Sequence, residues 1–158
     1  MEPSLQIIKE ELLNAFALGE RDFHNMNLQG IDLSNEDLSG INLSGSVLSG
    51  ANLSGTRLSG ADLSKANLEA SSLARAILER SDLSWARLRN ADLVGADLSH
   101  SIARAANFTG ALLIRAQMSD ADFLGACFTA ANFMAANFES SVFECCDFVE
   151  ANLSNVNL

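Results

Sequence analysis

Large apolar side chains recur at every fifth residue of this chain, from Phe23, Leu28 and Leu33 through to Leu153 and Leu158, and no insertion breaks the spacing. Of these 28 positions 27 hold Leu, Phe or Met, and the exception is Ala103. Taking them as the third residue of a five-residue unit orders the other positions. The first residue is Ala, Ser, Thr or Cys at all 22 places from Ser46 to Ala151, and the second is Asp or Asn in 18 of 28 units. Ser and Gly dominate the fourth and fifth places in the N-terminal half. A period of five matches neither the 3.6 of a helix nor the 2.0 of a strand, so neither element keeps these side chains on one face. A chain that turns a corner every five residues does. The pattern predicts coils in which the third and first residues point to the axis, the Asp or Asn sits outside near the corner, and Ser or Gly makes the turn.

Units such as Ala51-Asn52-Leu53-Ser54-Gly55, Ala61-Asp62-Leu63-Ser64-Lys65 and Ala131-Asn132-Phe133-Met134-Ala135 resemble the Ala-(Asp/Asn)-Leu-x-x motif of the pentapeptide-repeat family, and the resemblance covers residues 21–158. The uninterrupted repeat runs behind a short helix ending Gly19-Glu20-Arg21-Asp22-Phe23 resemble those of many cyanobacterial pentapeptide-repeat proteins. The resemblance implies an all-β solenoid, a right-handed quadrilateral β-helix with four units per coil. That makes about seven coils and, at about 4.8 Å per coil, a rod roughly 34 Å long. Residues 1–20 form a separate element. Leu5, Ile8, Leu12, Ala15 and Phe16 fall at helical spacing, with Lys9, Glu10, Glu11 and Asn14 largely opposite, Pro3 at the start and Gly19 just past the end. This amphipathic helix is expected to cap the solenoid. The early first positions, Arg21, Met26, Ile31, Glu36 and Ile41, are large where small residues belong, which suggests a first coil that is wider or covered.

With four units per coil, residues 20 apart stack in columns. Phe108, Phe128 and Phe148 then form one internal ladder and Phe123 with Phe143 another. Ala103 falls between Leu83 and Phe123, and a missing leucine there leaves a void costing about 2–5 kcal/mol. A local irregularity at Ser101–Ala105, or an inward Ile102, is therefore expected. On the outside, Ala74, Val94, Ile114 and Met134, widened by Leu112, draw an apolar stripe where the N-terminal equivalents are Ser34 and Ser54. Such a stripe is a candidate partner surface. A second candidate stacks Lys65 and Trp85 in one column, with Arg87 and Arg89 beside the indole. The ring could anchor a partner or pack on the stems of those cations. The last coil leaves strand edges and core side chains uncovered, so Phe148, Leu153, Val156 and Leu158 are a candidate end for homodimerisation, as the family resemblance also implies.

Composition narrows the chemistry. Acidic residues outnumber basic ones 20 to 10, which argues against direct nucleic-acid or anionic-membrane binding. Three Cys, two of them adjacent, do not make a disulfide framework, and no apolar run is long enough to span a membrane, so the cytoplasm is expected. His24 and His100 lie roughly 14 Å apart along the axis of such a rod and cannot share a metal. No Cys-x-x-Cys, His-Glu-x-x-His or phosphate-binding glycine motif occurs. Cys145 and Cys146 occupy a fifth and a first position, so Cys146 should point inward. Neither a catalytic residue nor a cofactor or metal site is expected, and a filled convex rod offers no obvious pocket.

Two binding functions remain. The preferred one is a non-enzymatic protein–protein interaction scaffold with an unidentified partner. The alternative rests on the resemblance: some pentapeptide-repeat proteins are acidic rods that mimic DNA and bind DNA gyrase or topoisomerase IV, protecting them from quinolones. The charge distribution weakens it, because residues 1–40 sum to −6, residues 41–115 to +2 and residues 116–158 to −6. A mimic should present charge evenly along its length.

Overall fold

The computed structural model describes residues 5–158 and opens with one helix, α1 (Leu5–Ala17); the Pro3 start signal lies outside the described residues. Its end is a Schellman motif: Glu20 N–H donates to Ala15 O and Gly19 N–H to Phe16 O, with Gly19 at φ +100°. Arg21 then reaches back. Its guanidinium lies 3.8 Å from the centre of the Phe16 ring and donates to Phe16 O at 2.7 Å. Leu12 is buried, and Ile8, Leu13, Ala15 and Phe16 pack against the same core, whereas Leu5 is 44% exposed. Lys9 faces the solenoid rather than solvent, pairing with Glu36 at 3.0 Å. Of the large first-position residues, Arg21 and Glu36 bind α1, Ile31 and Ile41 are fully buried in the core that the helix packs on, and Met26 is partly buried against it.

From Asp22 onward each unit contributes a single parallel bridge from its second residue to the residue 20 further on, as in Asn52↔Ser72 and Asp62↔Asp82. Four units therefore complete one turn, and the faces are ladders of isolated bridges rather than extended strands. The unit Ala51–Gly55 explains why five residues suffice. Asn52 N–H donates back to Ile31 O, Leu53 and Gly55 donate forward to Ser72 O and Ala74 O, and Ala51 closes the turn onto Leu48 O. The one amide left over, Ser54 N–H, is taken by the Asn52 side chain at 3.2 Å. The same bond runs from Ser34 to Asp32, Ser84 to Asp82 and Val94 to Asp92. Every backbone donor of the unit is satisfied, and the second-position Asp or Asn is the group that completes the set.

The turn itself differs from the expectation that Ser or Gly makes it. The fifth residue has positive φ in every unit from Asn25 to Asn155, and most of these residues are not glycine: Lys65, Arg75, Trp85, His100 and Arg115 all lie between 58° and 59°. What the position excludes is a β-branched side chain, which tolerates this region worst.

Third-position side chains fill the interior, with Leu28 through Leu98 fully buried, and the small first-position residues pack between them. The C-terminal half carries the aromatic ladders. Phe108 stacks on Phe128 at 5.0 Å, Phe128 on Phe148 at 5.1 Å, and Phe123 on Phe143 at 5.1 Å. The irregularity expected at Ser101–Ala105 is absent. Ala103 N–H meets Asp122 O at 2.7 Å and Ala105 N–H meets Leu124 O at 2.9 Å, as in neighbouring coils, and Ile102 points outward. Ala103 is fully buried between Leu83 and Phe123 in its column, where Phe123 and Phe108, the first rings of the two ladders, pack edge to face at 6.0 Å. Ser101 Oγ is the one buried side-chain polar atom without a partner among the described residues.

Candidate functional site

The external stripe begins where the fourth-position column changes from Ser34 and Ser54 to Ala74, Val94, Ile114 and Met134. Val94 and Met134 are held by Asx bonds from their amides to Asp92 and Asn132 at 3.0 and 3.1 Å. Leu112 replaces the Asx residue of its unit, giving up that bond to place an apolar side chain beside Ile114. Ala74, Val94 and Ile114 are half-buried, and Met134 and Leu112 are 40% and 42% exposed. A shallow open groove of about 370 Å³ lies against the start of the stripe, lined by Asn35, Ser54, Gly55, Ala74, Arg75, Asp92 and Val94. It exists because the column beside it loses bulk at Gly55 and Ala74. The expectation that a convex rod has no pocket is corrected to this extent.

Arg75 and Arg115 flank the stripe along the fifth-position column with Gly95 between them, and neither makes an ion pair among the described residues. A Cβ on Gly95 would lie 3.8 Å from Arg75 Cγ, so the Arg75 stem leans along its column over Gly95. Asp92 borders the stripe on the opposite side. Sequence reasoning missed both arginines and Gly95. Their 20-residue spacing in one column carried the signal, but cations and glycine were read separately from the apolar residues.

The second candidate surface is only partly assembled. Lys65 and Trp85 share a corner, and Trp85 is 60% exposed. Arg87 is drawn off to Glu69, with Nη2 at 2.7 Å and Nε at 3.1 Å from its carboxylate, and Arg89 is exposed on the next corner. No cation stacks on the indole among the described residues, where Arg21 on Phe16 is the one such contact. Arg104, unnoticed in the sequence, is the neighbour whose backbone carbonyl accepts the Trp85 backbone amide at 2.9 Å, and its guanidinium is committed to Asp122.

At the far end Phe148 and Val156 are half-buried, Leu153 is 42% exposed and Leu158 is 87% exposed. Burial pushes the Cys146 thiol up, and it donates to Phe123 O at 2.9 Å as an inward residue. Burial would also raise Cys127, but hydrogen bonds with Thr109 and Thr129 bring it below its ordinary value. His24 pairs with Asp22 at 2.7 Å and His100 faces Asp120 at 3.8 Å. No three metal-ligating side chains converge among the described residues, and no helix there is long and apolar enough to cross a membrane.

A regular 20-residue register with Asx-closed pentapeptide corners defines a class of solenoid. Family models confirm the class: the description "Pentapeptide repeats" matches in 8 copies over residues 27–64, 37–73, 66–102, 91–130 and 131–158. The chain belongs to the pentapeptide-repeat family. Among solved structures it is similar to the pentapeptide repeat protein Rfr23 of the cyanobacterium Cyanothece 51142, at 22% identity over 94% of each chain with a TM-score of 0.63. It is also similar to alr5209, a pentapeptide repeat protein of Nostoc PCC 7120, at 39% identity over 60% of this chain and 78% of that one, with a TM-score of 0.60. A match to QnrB1, a plasmid-mediated fluoroquinolone resistance protein, has 22% identity over 85% of this chain and 73% of that one, at a TM-score of 0.37. A superposition that loose carries no argument about function. No protein of curated function matches the chain.

Proposed function

We propose that this protein is a non-enzymatic interaction scaffold of the cytoplasm, a right-handed quadrilateral β-helix of about seven coils that presents one face to a protein partner. The observation that carries this reading is the continuity of the apolar stripe with the groove at its start, on a backbone held by an unbroken ladder of bridges between residues 20 apart. Side chains held on such a frame lose little further conformational freedom on binding, which favours association. Many of the second-position carboxylates are engaged in Asx bonds, as at Asp32, Asp62 and Asp82, which supports a structural role for them over a catalytic one. The partner surface is Val94, Leu112, Ile114 and Met134; the Lys65, Trp85, Arg87 and Arg89 cluster is secondary because Arg87 is already neutralised. The uncovered coil of Phe148, Leu153, Val156 and Leu158 joins two copies end to end.

Affinity capture from the native host, with wild-type and Ile114→Asp proteins as bait, tests the assignment. The expected result is a captured partner that disappears with Ile114→Asp while circular dichroism stays unchanged. Equal capture by both baits would reject this surface.

A further inference from the structure

We infer that the stripe is shaped for one kind of occupant, an amphipathic α-helix of a partner protein that lies along the rod and offers acidic side chains to Arg75 and Arg115. This rests on the scaffold reading and adds the chemistry of the partner. The first support is spacing. Val94, Ile114 and Met134 follow one another at about 4.8 Å per coil, and apolar residues on successive turns of a helix follow at about 5.4 Å. Over the three steps from Ala74 to Met134 the mismatch accumulates to only about 2 Å, well within the adaptability of Leu and Met side chains. A β-strand presents same-face side chains roughly 6.6–6.8 Å apart, and over the same three steps its mismatch grows to about 6 Å.

The second support is charge. Arg75 and Arg115 stand two coils apart, about 10 Å, and helix residues seven apart rise about 10.5 Å. A helix with Asp or Glu at that interval reaches both guanidinium groups at once. These arginines form no ion pair within the described residues, whereas Arg57, Arg80, Arg87 and Arg104 all do. The third support is clearance. Gly95 leaves the column between the arginines without a side chain beyond the Arg75 stem, and the groove beside Ala74 receives the end of the helix. Asp92 on the other flank repels acidic groups there, which fixes the helix about its own axis.

The test uses synthetic helical peptides on the full chain, followed by fluorescence anisotropy. One peptide carries Leu at i, i+4, i+7 and i+11 with two Glu seven residues apart on one flank. A second has Lys in place of both Glu, and a third has the Glu residues four apart. The expected result is saturable binding of the first peptide at least tenfold tighter than either control. The double variant Arg75→Glu with Arg115→Glu should invert the preference toward the Lys peptide at unchanged circular dichroism. Absence of saturable binding of the first peptide up to about 200 µM, equal affinity for all three, or a preference unmoved by the double reversal would overturn the inference. Self-association of the native protein that Ile114→Asp abolishes would also overturn it, by assigning the stripe to a second copy. If the peptides fail while Ile114→Asp still loses the host partner, the scaffold reading stands and the helical occupant falls.

Discussion

At the scale of single residues the fold depends on left-handed corners. Each fifth residue holds positive φ, which costs an L-residue roughly 1–2 kcal/mol, and the chain accepts this repeatedly because each corner lets a large side chain enter the core. Glycine is required only where there is also no room. A Cβ on Gly55 would sit 2.5 Å from Asn35 Oδ1, while one on Gly60, at the same φ of +67°, would meet nothing within 4 Å. Gly60→Ala should therefore cost about 1 kcal/mol, the conformational strain alone. Gly55→Ala should cost about 0.5 kcal/mol more, because the exposed Asn35 side chain must turn aside. Denaturant midpoints of the two variants separate the contributions, and equal shifts would mean the contact with Asn35 is inconsequential. The corner position was legible in the sequence from its glycines, but its true constraint was not. Trp85 and Arg115 look unlike turn residues, and only the absence of Val, Ile and Thr from the whole column marks the conformation.

At the scale of the five-residue element, the second position decides whether the corner is complete. Asx side chains take up an amide that no backbone carbonyl reaches, and this makes some carboxylates acid-sensitive. The Ser34 backbone amide holds the Asp32 carboxyl below its usual range, the Ser39 hydroxyl does so for Asp37, and Arg104 does so for Asp122. A carboxyl whose pKa is lower when folded stabilises the fold fully above its unfolded value of about 3.9, and that contribution is lost as pH falls through the folded value. Thermal stability should thus hold from neutral pH to about pH 5 and decline below about pH 4. Replacing Asp32 and Asp37 with Asn keeps an Oδ1 acceptor and removes the charge, so the acid decline should become shallower; an unchanged profile would place the sensitivity elsewhere. The cap shows the limit of reading an element alone. Periodicity marked α1 and its apolar face, but the Lys9–Glu36 pair and the Arg21 stack join residues whose proximity depends on how the helix lies across the coil. The Ala103 expectation failed because column reasoning weighed side-chain volume between Leu83 and Phe123, whereas the backbone bonds of that coil keep the register of its neighbours.

Over the whole molecule, charge is banded, with acidic ends and a waist that carries 8 of the 10 cations. The apolar stripe crosses that waist, so the surface chosen for partner binding is also the most basic stretch of the rod. The outer coil at the C-terminal side presents core-type side chains, and sedimentation provides its test. The native protein should sediment as a dimer and Leu153→Glu as a monomer, whereas a native monomer at about 10 µM would remove the end-to-end contact. The columns of this surface were legible once the 20-residue turn was assumed; the groove was not, because it arises from what Gly55 and Ala74 lack. The same register makes the molecule's surface addressable by length. Duplicating 20 residues between Arg75 and Arg115 would lengthen the binding face by one step and leave its composition aligned. Duplicating five would keep the interior intact yet turn everything downstream by a quarter of the circumference, carrying Ile114 away from Val94. Slippage between near-identical repeats can thus change what such a rod recognises without altering how it folds.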